Sequence, residues 1–148
     1  MVKPGGNAAT TTKLLYALPT DAQWEYDCRA GSQGWFHFQG DSWRLTEFGW
    51  YKNNAGSQTH VVAQKEANAF GLFDMHGNVW EWCRDYSGLY PSKPVIDPEG
   101  PTKGAFRIAR GGSWYYPALA ARCANRLSIP PKMGNYNVGF RLVLIPKG

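Results

Sequence analysis

Three cysteines, three histidines and a serine behind a glycine pair are the residues of this 148-residue chain that could act as nucleophiles or hold a soft metal. Cys28, Cys83 and Cys123 lie far apart, and no two have the Cys-x-x-Cys spacing of a zinc site. One disulfide with one free thiol, or three reduced thiols, both fit that pattern. Cys83 reads as a small buried hydrophobe rather than a nucleophile. His37, His60 and His76 fall in separate loops. His76 sits in a His-Gly-Asn turn, where a hydrogen-bonding role rather than catalysis is expected. Ser113 lacks the strand-to-helix elbow of a serine nucleophile. A different chemistry stands between Trp114 and Val138, where Tyr115, Tyr116, Leu119, Leu127, Ile129 and Tyr136 occur on a loop-like stretch. Tyrosine gives wide amphipathic contact area at low entropic cost. Such an apolar set on a loop surface implies a partner, unless part of it, Tyr116 and Leu119 for example, packs inward.

The elements that must position these residues are few. Thr20 and Gln23 have the spacing of a capping box, and Asp21 falls in the first turn, where the helix dipole favours an acid. The pattern predicts a helix from Asp21 to Ala30 with Gly31 as its C-cap, and with Trp24 and Cys28 on one face. From Gly31 to Lys65 aromatics alternate with Gly, Asn, Ser and Asp without a lasting period, which predicts a long loop region pinned by its aromatics. Val79, Trp80, Glu81 and Trp82 follow the His76-Gly77-Asn78 turn as a short strand. Tyr86 to Gly104 carries four prolines and reads as loop. Phe106–Arg110 and Val138–Leu144 alternate as strands. The whole describes a small α+β domain over 14–148 behind a flexible lead-in over 1–13.

Apolar residues make up 43% and aromatics 15%, which excludes a disordered chain. The net charge of +5 is dispersed over sixteen basic residues, so no nucleic-acid patch is expected. No stretch approaches the roughly 18 apolar residues of a membrane span. Met1 to Thr12 lacks the apolar run of a signal peptide.

Four ordered blocks carry a resemblance. They are Leu18-Pro19-Thr20-Asp21-Ala22-Gln23-Trp24-Glu25-Tyr26, Phe70 through Trp82, Arg110-Gly111-Gly112-Ser113-Trp114, and Val138-Gly139-Phe140-Arg141. Together they resemble the formylglycine-generating-enzyme (sulfatase-modifying factor) family over about Leu14 to Leu144, without the portion that usually precedes the Leu-Pro-Thr block. The resemblance implies a C-type-lectin-like fold: a small twisted antiparallel sheet, one or two helices and long ordered loops. The family's enzymes oxidise a substrate cysteine with copper held by two cysteines just after the Gly-Gly-Ser block, because Cu(I) needs soft thiolate ligands. Here Tyr115 to Ala121 contains no cysteine, so neither copper nor catalysis is expected. Cys123 matches another family position, often paired with the one matched by Cys28. A Cys28–Cys123 disulfide is thus implied, with two buried thiols as the alternative. The family's calcium site maps onto the side chains of Asp74 and Glu81 and the carbonyls of Gly77 and Val79, hard oxygen donors on a tight turn. The alternative is that the two acids merely cap the turn.

The stretch from Trp114 to Val138 also resembles the variable proteins of diversity-generating retroelements, in which adenine mutagenesis of Asn-rich codons diversifies surface positions within a fixed frame. Tyr115, Tyr116, Pro117, Leu119, Ala120, Leu127, Ser128, Ile129, Pro130 and Tyr136 are all reachable from an Asn codon by changing its adenines, whereas Lys132 and Met133 are not. The resemblance implies a non-enzymatic display protein. It would bind a protein or cell-surface ligand through Tyr115, Tyr116, Pro117, Leu119, Ala120, Leu127, Ile129, Pro130 and Tyr136, and be surface-displayed, virion-associated or secreted. The alternatives are a sulfatase-modifying-factor-like enzyme or enzyme-associated protein lacking the copper cysteines, and a structural subunit that binds its own kind.

Overall fold

The computed structural model of the chain describes residues 13–147. Of the expected lead-in over 1–13, all but Lys13 lies outside them. The capping box forms as its residues dictate. Thr20 Oγ1 accepts from the Gln23 amide at 3.0 Å, and Gln23 Oε1 accepts from the Thr20 amide at 2.9 Å. Helix α1 runs from Asp21 to Arg29. Its C-cap is Ala30 rather than Gly31: Ala30 takes φ 45° and its N–H bonds the Tyr26 carbonyl at 3.1 Å. Trp24 and Cys28 share the buried face, packed with Met75, Cys83, Ile108 and Cys123.

The described residues hold six strands in two sheets. Strand β1 (Leu14–Ala17) pairs antiparallel with β6 (Val143–Pro146) as a two-stranded ribbon. The second sheet holds β2 (Trp80–Tyr86), β3 (Arg107–Arg110), β4 (Leu127–Ile129) and β5 (Val138–Gly139) in the order β4-β3-β2-β5. Its β2–β3 and β3–β4 pairs are antiparallel, and β2–β5 is parallel. The molecule is α+β, as expected, but the larger sheet is mixed rather than wholly antiparallel. The single strand expected over Val138–Leu144 is two strands, one in each sheet. Between them Arg141 reaches out of the ladder to Glu81 and to the Phe73 carbonyl.

The segment from Gly31 to Lys65 is largely irregular, with a 3₁₀ turn at Ser42–Arg44 and a four-residue helix α2 (Leu45–Phe48) inside it. It is pinned by a second core of Phe36, Phe38, Leu45, Phe48, Tyr51 and Ala121. No helix among the described residues is long and apolar enough to cross a membrane.

Arg110 joins these parts. Its guanidinium is fully buried, with Nε 2.6 Å from Asp21 Oδ1 and Nη2 on Glu25 of α1. Nη1 donates to the carbonyls of Cys123 at 2.8 Å and Asn125 at 2.7 Å. Burial works against its charge, but Asp21 and Glu25 more than offset that and raise its pKa. One side chain thus fixes α1, β3 and the segment that leads into β4.

Candidate binding face

Two glycines after β3 turn the chain. Gly111 has φ 93° and Gly112 φ 76°, a region closed to most side chains. A Cβ on Gly112 would stand 2.9 Å from Ala121 Cα, so the turn also needs the missing side chain for space. The next residues are held by their backbone. Trp114 N–H donates to Asn78 O at 2.9 Å, Lys52 N–H to Tyr116 O at 3.0 Å, and Ala120 N–H to Pro117 O at 2.9 Å. The Asn137 amide donates to Ser113 Oγ at 3.3 Å, and the Asn125 amide to Ala120 O at 2.9 Å. Main chain and framework side chains thus carry the fold here, and Tyr115, Pro117 and Leu119 are left exposed while Tyr116, Ala118, Ala120 and Ala121 pack inward.

Exposed Tyr115 and Tyr136 and half-buried Tyr116 and Trp114 form an aromatic surface seated on buried Trp80. Ring centroids are 5.6 Å apart for Trp80–Tyr116, Tyr115–Tyr116 and Trp114–Tyr115, and 5.8 Å for Trp114–Tyr136. Tyr115 and Tyr136 are 54% and 71% exposed, and Leu119 is 53% exposed on the neighbouring 3₁₀ turn (Ala118–Ala121) beside exposed Pro117. The indole nitrogens of Trp80 and Trp114 and the Asn137 Oδ1 are buried with no hydrogen-bond partner among the described residues.

Not every sequence-expected contact residue lies on this surface. Ile129 is 5% exposed and packs with Trp80 and Ala109, and half-buried Leu127 and Ala120 pack against the same cluster. The reason is strand β4: pairing with β3 turns Ile129 inward, and the loop-like reading of that stretch missed it. Tyr116 is half-buried against that core, and Pro130 is half-buried at the end of β4. Trp80 and Trp114 were the residues missed. Trp80 is buried beneath the tyrosines, and half-buried Trp114 extends their surface.

The acidic turn is also built. Asp74 (φ 59°) and Gly77 (φ 115°) take left-handed backbone, and Asp74, Gly77, Val79 and Glu81 line one cavity of about 420 Å³. A Cβ at Gly77 would fall 2.2 Å from the Trp50 carbonyl oxygen, so glycine is required there. Asp74 Oδ2 accepts from the Ala63 amide at 2.8 Å, while Oδ1 is buried without a partner among the described residues. Glu81 is more occupied than its sequence position implies. Its Oε2 accepts from Trp24 Nε1 at 2.7 Å and Arg141 Nε at 2.6 Å, and its Oε1 from Arg141 Nη2 at 2.8 Å.

Cys28 and Cys123 come together, as the resemblance implied, with sulfurs 3.5 Å apart, and both are thiols in this structure rather than a formed disulfide. Burial pushes the Cys28 thiol up, and burial does the same to Cys83. The histidines are not all separate. His37 and His76 stack with centroids 4.8 Å apart, while His60 stacks on Trp50 at 3.8 Å. Burial lowers the His37 imidazole to about 4. Burial first, and His37 second, lower His76 to about 3. Neither ring is near Ser113 by any hydrogen bond found among the described residues.

Comparison with known proteins places this geometry. The sulfatase-modifying factor enzyme 1-like domain model matches residues 5–145. The formylglycine-generating enzyme of Streptomyces coelicolor is 37% identical over 143 residues, covering 84% of this chain and 45% of its own length. Among solved structures, variable protein 1 of Treponema denticola superposes with a TM-score of 0.83 at 34% identity, over 89% of this chain and 48% of that one. PvdO from Pseudomonas aeruginosa gives 0.78 at 31% identity, over 89% and 53%. The chain thus spans about half the length of each of these proteins.

Proposed function

The chain belongs to the sulfatase-modifying factor enzyme 1-like family, and within that family we propose that it is a non-enzymatic, ligand-binding member of the retroelement variable-protein kind. One observation carries the reading. Where the family's enzymes place their copper thiolates, this chain places Tyr115 and Tyr116 in an aromatic surface that continues to half-buried Trp114 and to Tyr136 and is seated on buried Trp80. Aromatic rings on a fixed backbone offer area without a large ordering cost. Contact centres on Tyr115, Pro117, Leu119 and Tyr136, with Tyr116 behind them. Its ligand is a protein or cell-surface group, met by a chain displayed on a surface or virion or secreted.

Calcium has a supporting role in this reading. The Asp74 carboxylate oxygen without a partner, the Gly77 and Val79 carbonyls and a share of Glu81 form a hard oxygen set of the type calcium takes. Bound there, it would neutralise buried acid charge and stiffen the turn whose Asn78 carbonyl accepts from Trp114.

A protein or peptide ligand selected from a display library against the purified chain tests the assignment. Tyr115→Ala with Tyr136→Ala should weaken a selected binder at least about 30-fold, two anchor losses of more than 1 kcal/mol each, with circular dichroism unchanged. Binding that survives both changes refutes it. The identity to formylglycine-generating enzymes keeps one alternative in view, catalysis without the cysteine pair. Formylglycine formed from a cysteine peptide with copper would establish it.

A further inference from the structure

We infer that Arg122, laid on the exposed indole of Trp35, is a carboxylate clamp at the edge of the binding face, and that it selects a protein ligand by an acidic side chain. The inference rests on the contact-surface reading above and adds the chemistry of the ligand. All eleven acidic residues of the chain occur at or before Glu99. The stretch that builds the face, Gly111 to Val138, therefore carries Arg122, Arg126 and Lys132 and no acid. Arg126 is neutralised by Asp21 at 2.9 Å. Arg122 is not: its one hydrogen bond among the described residues runs from Nε to the Leu119 carbonyl at 3.0 Å.

The geometry suits a carboxylate. Arg122 Cζ lies 5.4 Å from the centroid of the Trp35 ring, a cation–π distance. The Nε bond to Leu119 fixes the stem and leaves both terminal nitrogens for the two oxygens of one carboxylate, the fork that a guanidinium offers and an ammonium does not. Trp35 is 64% exposed, and its loop is stitched to the segment that carries Arg122, since Cys123 N–H donates to Trp35 O at 2.8 Å. Both halves of the clamp are thus held before a ligand arrives, which lowers the ordering cost of binding. Leu119, whose carbonyl holds Arg122, is itself 53% exposed on the face, so the clamp adjoins the tyrosine surface. A second exposed cation, Lys52, stands at Tyr116, whose carbonyl accepts from the Lys52 amide at 3.0 Å. Single cations set among apolar rings fit a protein segment with one or two acids. A nucleic-acid strand calls for a row of cations along its phosphates.

The test starts from random dodecapeptides on phage, selected on the full chain at low salt. The binders should be enriched in Asp and Glu over the starting library. The best one is then synthesised with its acids intact and with them changed to amides. On the parent chain the amide version should bind about 10-fold or more weaker, the size expected for losing a hydrogen bond between charged groups. On Arg122→Gln the two versions should bind alike, and Trp35→Ala should lie between parent and Arg122→Gln. Arg122→Glu should regain affinity for a binder whose acids are changed to Lys, a rescue that a misfolded variant cannot show. Binders that need Tyr115 and Tyr136 but tolerate both Arg122→Gln and the loss of their acids overturn the clamp and leave the contact surface standing. Binders that need Arg122 but tolerate Tyr115→Ala with Tyr136→Ala overturn the contact surface instead. A labelled DNA duplex that competes with the peptide and loses affinity on Arg122→Gln overturns the choice of a protein ligand.

Discussion

Replacing Arg110 with Met should cost about 4 kcal/mol of unfolding free energy. The guanidinium is fully buried and serves four partners, Asp21, Glu25 and the carbonyls of Cys123 and Asn125. Removing one member of a buried ion pair typically costs about 3–5 kcal/mol, because the other charge is stranded. Here stranding is incomplete: Asp21 keeps Arg126 at 2.9 Å, and Glu25 keeps Arg29 at 2.8 Å. That brings the ionic part to about 2–3 kcal/mol. The two carbonyls lose their donor at about 1 kcal/mol each. Urea denaturation followed by tryptophan fluorescence measures the sum, and an unchanged m-value would show that the unfolded state is not the cause. Arg84→Met is the internal comparison. Its pair with Glu99, which is 72% exposed, should be worth less than about 1 kcal/mol. A loss at Arg110 no larger than at Arg84 would refute the view that this side chain locks the helix to the binding segment.

Three further outcomes are expected. Asp74→Gly, which keeps the left-handed backbone and removes the carboxylate, should abolish the rise in thermal midpoint that about 1 mM calcium gives the parent chain, measured by scanning fluorimetry. Asp85 is buried, accepts from the Asp21 amide at 2.7 Å, and has its pKa raised chiefly by burial. Its folded state therefore holds the proton more tightly than the unfolded state, so Asp85 costs stability as pH rises through the carboxylate range. Asp85→Asn should thus be more stable than the parent at pH 7 and gain nothing once both states are protonated in acid, by urea melts at the two pH values. Gly77→Ala should unfold or greatly destabilise the chain, since its Cβ would overlap the Trp50 carbonyl and its φ is 115°; soluble expression with a native fluorescence spectrum would contradict this.

Local chemistry made α1 legible, because a capping box and an apolar i, i+4 pair act within one helix turn. The course of β2 and β3 was legible for a like reason, from alternation over a few residues. The split of the last strand was not, because it depends on Arg141 meeting Glu81 sixty residues away. Nor was β4: three residues are too few to show a period, and only pairing with β3 decides that Ile129 faces inward. At the face, Tyr115, Pro117, Leu119 and Tyr136 were legible as exposed types in a turn-rich stretch. Trp114 was not, since a buried tryptophan and a half-exposed one have the same side chain and differ in what covers the ring. The approach of Cys28 to Cys123 followed from resemblance, whereas the arrival of His76 beside them needed the tertiary structure.

Sequencing the coding region from many members of one population tests most directly whether this is a diversified contact surface. Substitutions should gather at the codons of Tyr115, Pro117, Leu119 and Tyr136, with Gly111, Gly112, Ser113 and buried Ile129 fixed, and a near-copy of the Gly111–Arg141 region should lie beside a reverse transcriptase gene. Substitutions spread evenly over exposed and buried positions, or an invariant segment with no such copy, would contradict it.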